Sequence, residues 1–279
     1  MHHAAYNALF LLLAALFSQA AAAQSACKAP SPDCVVVGEW DITLSLGAGE
    51  RSNPIKGNSD IPLVVIPQIS YYGKRFFLES LELGFTLHEN ASNTFNLIAT
   101  PGYDRVFFYR NDLQNIFVSG IRGLVNAPSG AGGKPAGEFP VRRRHTTYLA
   151  GPEWIFNYGP VIGQLDALYE VTGEHNGYEV RAAVAAPIIQ STGSLVASTG
   201  LTWKSSELVG YYYGVEGLYA PGSAVNPFFK LGYSLPLSDR WTFTAFAHYE
   251  HLGDAIANSP IIESGGVTTV FAGVVFKVL

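Results

Sequence analysis

The sequence reads as all-β: an antiparallel transmembrane β-barrel of about twelve strands, with ten to fourteen compatible with the spacing. Three observations predict it. Segments alternate apolar and polar residues with period two, the periodicity of a strand with two unlike faces. The composition is 48% hydrophobic and only 14% charged, whereas about a quarter of a soluble domain is charged. Beyond residue 23 no apolar run approaches the roughly 20 residues of a spanning helix. Closed barrels satisfy their backbone by pairing between strands and carry aromatic girdles, which suits a chain with 15 Tyr and 17 Phe. A soluble β-sandwich also alternates. The secretory N-terminus, the low charge, and Trp40, Trp154, Trp203, Trp241, Tyr211 and Tyr213 near segment ends favour the membrane.

The elements follow in order. Residues 1–23 form a signal peptide, with the apolar stretch LFLLLAALF at 9–17 and a small-residue cleavage site at Ala21-Ala22-Ala23. Residues 24–38 form a periplasmic lead-in containing Cys27 and Cys34. An oxidising periplasm permits a disulfide between them. Lipidation of Cys27 is the other reading, and Gln24-Ser25-Ala26 is a poor acylation signal for it. Residues 39–279 form the barrel. Segment 40–48 sets Trp40, Ile42, Leu44 and Leu46 against Asp41, Thr43 and Ser45. Segment 62–71 is weakened by Pro62 and Pro67. Segment 76–88 sets Leu81, Leu83, Phe85 and Leu87 against Glu82, Gly84, Thr86 and His88. Segment 94–100 is short, and 102–144 resists assignment. Segments 145–157 and 161–172 read as a hairpin around Tyr158-Gly159-Pro160. Strands then follow at 178–189, 194–203, 208–216, 226–236, 240–251 and 267–279. In 240–251, Phe243, Ala245 and Ala247 are expected to face lipid, and Thr244 and His248 the interior. Phe246 breaks the pattern.

The ordered landmarks GEWDITLSLGAG, YEVTGEHNG at 169–177, YYYGVE at 211–216, LSDRWTF at 237–243 and HLGDAIANSPII at 251–262 carry a resemblance to the MipA/OmpV family of outer-membrane proteins. The resemblance covers nearly the whole mature chain. It implies a barrel without established chemistry of its own. It further implies a scaffold that joins a murein-degrading lytic transglycosylase to a bifunctional penicillin-binding protein; other members are linked to adhesion, antigenicity or stress responses.

The polar parities describe the lumen. Asp41, Glu82, Asp166, Glu170, Glu179 and Glu250 are expected to point inward, with Arg181, Lys230 and Lys277 among them. Acids outnumber bases, so an open lumen would favour cations and a closed one would pair its charges. The run Arg142-Arg143-Arg144 reads as a contact for lipopolysaccharide phosphates or an acidic partner. The alternatives are a solvated strand end or an internal ion-pair cluster. HYEH at 248–251 is not a metal motif, because His248 and His251 fall on opposite faces of a strand. GAGGKPAG at 130–137 lacks the spacing of a phosphate loop. A net charge of −5 without a basic stripe gives no reason for nucleic acid. No catalytic constellation, metal or cofactor is expected. The chain reads as a non-enzymatic scaffold, with a narrow cation-preferring pore or a surface adhesin as alternatives.

Overall fold

The computed structural model describes residues 37–108 and 144–279. Twelve antiparallel strands close into a barrel, each beside its neighbours in sequence and the last beside the first. They are β1 (Trp40–Arg51), β2 (Ile61–Tyr72), β3 (Phe76–Glu79), β4 (Glu82–Glu89), β5 (Asn93–Pro101) and β6 (Tyr148–Tyr158). The second half is β7 (Val161–Glu170), β8 (Tyr178–Gln190), β9 (Ser194–Lys204), β10 (Ala224–Pro236), β11 (Trp241–His251) and β12 (Gly266–Lys277). Closure runs from Thr43 opposite Lys277 to Arg51 opposite Thr269.

The period-two pattern decides which side faces in. Leu83, Leu97, Leu165, Leu201, Phe229 and Val270 are each at least 41% exposed and form an outer apolar belt around the wall. The opposite parity is interior. On β11, Thr244 is 1% and Phe246 8% exposed, while Trp241 and Tyr249 of the other parity are exposed. Phe246 breaks the polar pattern because it belongs to an apolar cluster inside the barrel, with Ile61, Leu63, Ile66 and Phe271. Strands that are apolar outside and mixed inside suit a barrel whose outer surface meets lipid.

Five connections at one end are short: 73–75, 90–92, 159–160, 191–193 and 237–240. The connections at the other end are long and carry the irregular structure. This asymmetry is that of outer-membrane barrels, with short periplasmic turns and longer outer loops. The β3–β4 turn is an exception. β3 has four residues, and the chain reverses at Ser80, held at φ 55°, within the height of the wall.

The expected count of twelve strands is met, but through two offsetting differences. Segment 76–88 is two strands, not one. Segment 208–216 is not a strand: Ser206–Tyr213 is a helix, α1. Its aromatic residues favour strands. However, Ser205 caps the helix N-terminus, its hydroxyl accepting from the Leu208 N–H. Pro62 and Pro67 do not interrupt β2. That strand pairs with β3 only over Ser70–Tyr72, so both prolines lie where the ladder has one side, and an absent N–H is tolerated. A register shift between Thr86 and His88 puts His88 opposite Phe95 on the outer face, where the rings are 6.4 Å apart. The expected inward placement of His88 is therefore corrected by a bulge.

Candidate functional site

The end with long connections is filled by side chains. A 3-10 segment, Tyr103–Phe107, follows β5, and a second short helix, α2 (Asp254–Ala257), follows β11. Leu208, Val209, Tyr212 and Tyr213 of α1 are buried to 1% exposure or less, together with Val106, Leu252 and Ile256. Several polar groups inside this cap are matched. Lys204 Nζ donates to both oxygens of Asp104 at 2.7 and 2.8 Å, and the Tyr213 hydroxyl donates to Asp104 Oδ1 at 2.6 Å. Burial, reinforced by Asp104, pushes the Tyr213 hydroxyl well above its ordinary range, so it stays a donor. The Thr147 and Tyr212 hydroxyls lie 3.0 Å apart, and the Ser259 hydroxyl donates to the Tyr213 carbonyl at 2.6 Å.

Arg144 belongs to this cap, which corrects its expected role as an exposed lipopolysaccharide contact. It is 2% exposed. Its guanidinium donates twice to the Tyr212 carbonyl, at 3.0 and 2.5 Å, and lies 4.4 Å from the centroid of the Phe108 ring. It thus braces the last turn of α1, where carbonyls lack helical partners. Arg142 and Arg143 lie outside the described residues, as do Cys27, Cys34, the signal segment and the GAGGKPAG loop.

Beneath the cap is a cavity of about 250 Å³. Glu82, Glu179, Arg181, Lys230 and Glu250 line it, as the strand parity predicts for each. Cross-strand rungs organise its wall into two arcs. One rung runs Thr86, Asn96, Glu153, Asp166, Arg181, Thr202, Asn226 across β4 to β10. Its acids are held by neighbours. Asn96 Nδ2 donates to Glu153 at 2.6 Å, and Gln164 Nε2 donates to Glu153 at 3.0 Å and to Asp166 at 3.1 Å. Arg181, opposite Asp166, also pairs with Glu179 at 2.5 Å.

The other rung runs Arg51, Thr269, His248, Lys230, Ser198 across β1, β12, β11, β10 and β9. All five residues line the cavity. Arg51 Nε donates to Thr269 Oγ1 at 3.3 Å, and Lys230 Nζ stands 5.3 Å from the Phe246 ring. Among the described residues no carboxylate pairs with Arg51 or Lys230. Glu250, two residues along β11 from His248, instead accepts from Asn226 Nδ2 at 2.7 Å.

The expected lumen acids therefore do not share one wall. Asp41 sits at the turn end, 3.1 Å from Lys277 Nζ, with the Lys277 side chain about half exposed and that of Asp41 partly buried. Glu170 is buried but faces its own loop. Its carboxylate accepts the N–H groups of Glu174, His175 and Asn176 at 2.9 to 3.0 Å, and the Thr172 hydroxyl. Sequence reasoning missed Arg51, Glu153, Lys204 and Asp104. Arg51 and Lys204 lie just past the ends assigned to their strands, so carrying the parity further would have found them. Asp104 lies in the stretch that had no periodic signal.

The fold and this interior define a class: an outer-membrane β-barrel whose loop end is capped from within. Residues 44–278 match the family model described as MltA-interacting protein MipA, and the chain belongs to that family. It is 25% identical over 246 residues to the putative outer membrane protein YiaT of Escherichia coli K12, covering 85% of this chain and 91% of that protein. It is 23% identical over 257 residues to the MltA-interacting protein of the same organism, covering 86% and 91%. A 116-residue stretch is 32% identical to the outer membrane protein OmpV of Vibrio cholerae, covering 39% and 45%. Among solved structures, the NanC porin covers 86% of this chain and aligns over its own full length, at 11% identity and a TM-score of 0.43.

Proposed function

We propose that this chain is a non-enzymatic interaction barrel that brings murein-cleaving and murein-synthesising enzymes to the outer membrane. On this reading residues 1–23 are removed on export, 24–38 lie in the periplasm, and 39–279 form the barrel. A relative along nearly its whole length carries the name MltA-interacting protein, which supports a lytic transglycosylase as one partner; the family resemblance adds a penicillin-binding protein as the other. The observation that most supports an interaction protein over a pore is the cap. Tyr212 and Tyr213 are at 0% exposure, and the Asp104–Lys204 pair is buried beneath the helix. A conducting lumen needs a continuous wet path, and a tightly filled cap opposes one. The carboxylates of the acidic arc accept hydrogen bonds from neighbouring amides or pair with Arg181, which also suits a structural interior.

The test is capture and conductance on one preparation. The full chain, refolded in detergent and immobilised, should retain a purified lytic transglycosylase from solution. The same material in a planar bilayer should give no steady channels. Failure to retain either class of murein enzyme, together with ion-selective steps in the bilayer, would replace the scaffold reading with the pore.

A further inference from the structure

The basic rung is built like a binding site, and nothing in the scaffold reading uses it. Arg51, His248 and Lys230 come from three strands, β1, β11 and β10, and share one inward level of the wall. Directly opposed residues on neighbouring strands sit about 4.5–5.5 Å apart, so His248 and Lys230 are immediate neighbours and Thr269 bridges the step to Arg51. Among the described residues no carboxylate lies within ion-pair distance of Arg51 or Lys230, and two cations so gathered repel each other and have lost hydration. Such an arrangement is costly unless an anion completes it. A second observation, independent of charge, points the same way. Ser198, the last member of the rung, is 2% exposed, and its hydroxyl has no hydrogen-bond partner among the described residues. Buried hydroxyls are ordinarily satisfied, and this one lines the cavity.

The walls around the rung are aromatic. Phe228 lies 5.6 Å from the His248 ring, and Phe246 carries Lys230 over its face. Both rings line the cavity. An inorganic anion would leave these faces without a use. A ligand with a flat apolar body and one carboxylate would use both: the carboxylate between Arg51 and Lys230 with Ser198 donating, the body between the two phenyl rings. A volume of about 250 Å³ holds a single-ring molecule.

The geometry points to a lumenal site for a small carboxylate with an aromatic or apolar body, formed by Arg51, Lys230, His248 and Ser198 and flanked by Phe228 and Phe246. Arg181 lies on the other arc, where it pairs with Glu179.

Equilibrium binding of radiolabelled benzoate to the refolded full chain, at fixed ionic strength, tests this. Benzoate should bind saturably, and benzylammonium, of the same shape and opposite charge, should not. Lys230→Met should weaken benzoate at least about tenfold, the worth of one charge-assisted hydrogen bond, and Lys230→Arg should retain it. Ser198→Ala removes a single oxygen and gives a second reading if Lys230→Met fails to refold; it too should weaken binding. Lys277→Gln, at the turn end, should leave binding unchanged. Absence of benzoate binding, equal binding of benzylammonium, or binding indifferent to both Lys230→Met and Ser198→Ala would overturn the site. These outcomes are read without any murein enzyme, so they stand apart from the scaffold test.

Discussion

Two arcs of one wall carry opposite charge and are built in opposite ways. The acidic arc, from β4 to β8, is largely hydrogen-bonded within itself, although Asn96 Oδ1 and Arg181 Nη2 find no partner among the described residues. Each of Glu153, Asp166 and Glu179 meets an amide or the Arg181 guanidinium. The basic arc, over β1 and β12 to β9, holds Arg51 and Lys230 without a carboxylate partner, and Ser198 without a hydrogen bond, among the described residues. Both arise from the same period-two alternation. The difference teaches that inward parity says where a charge points but not whether its neighbours have already claimed it. The first arc is structure, and the second is available.

The comparison breaks most sharply at Arg181. Removing one partner of a buried ion pair strands the others, at a cost of about 3–5 kcal/mol. Arg181→Met should therefore lower the urea midpoint of the refolded barrel, or abolish its heat-modifiable form on a detergent gel. A neutral effect would mean that Glu179 and Asp166 are not held by it. The second test asks whether the arcs lie on a true inner face. Ala245 on β11 is outward, on the parity opposite Thr244 and Phe246. Ala245→Lys should cost about 2–4 kcal/mol if it meets lipid near the midplane, measured by the same unfolding. A cost near zero would place β11 in the wrong register.

Much of the wall was legible. Alternation located β1 and β6 to β12, and it identified Glu82, Glu179, Arg181, Lys230 and Glu250 as facing the interior, because a strand's geometry leaves a side chain only two directions. What escaped has local causes. The helix α1 escaped because Tyr211, Tyr212 and Tyr213 look like strand residues, while the deciding feature is one serine hydroxyl at the cap. The bulge at Leu87 turned His88 outward, and a one-residue shift inverts every side chain beyond it. Arg144 escaped because charge alone suggests a surface, whereas a guanidinium with two bonds to one carbonyl and an aromatic face beneath it is stable when buried. The charge balance gave two expectations, cation preference for an open lumen and paired charges for a closed one. Glu170 turns to its own loop, while Arg181–Glu179 and Lys204–Asp104 are paired within the barrel.

Two smaller effects extend the comparison to the cap. Ser205→Ala removes the N-cap of α1 and should cost about 1 kcal/mol, seen as faster proteolysis of the loop end with the strands intact. An unchanged rate would show that burial of Tyr212 and Tyr213 alone holds the helix. The smallest effect is that of His175. Burial holds its imidazole below the ordinary value of 6.5, against the pull of Glu170. Its Nδ1 accepts the Gly177 N–H at 3.0 Å, which requires the unprotonated nitrogen. A folded value below the unfolded one means that His175 supports the loop fully above about pH 6.5, and that this support is lost as pH falls through the lowered value. Hydrogen exchange at residues 171–177, corrected for intrinsic rates, should accelerate on acidification. A pH-independent opening would remove His175 from the account.

The most direct test sets the two arcs side by side. Lys230→Met and Arg181→Met delete one cation each from the same lumen, with the same replacement and similar volume. If the acidic arc is bonded within itself and the basic arc open, urea unfolding of the two refolded variants should show Lys230→Met within about 1.5 kcal/mol of the parent and Arg181→Met lower by about 3–5 kcal/mol. Equal losses at both positions would mean that Lys230 is as firmly partnered as Arg181, and the division of the lumen into a structural arc and an available one would be wrong.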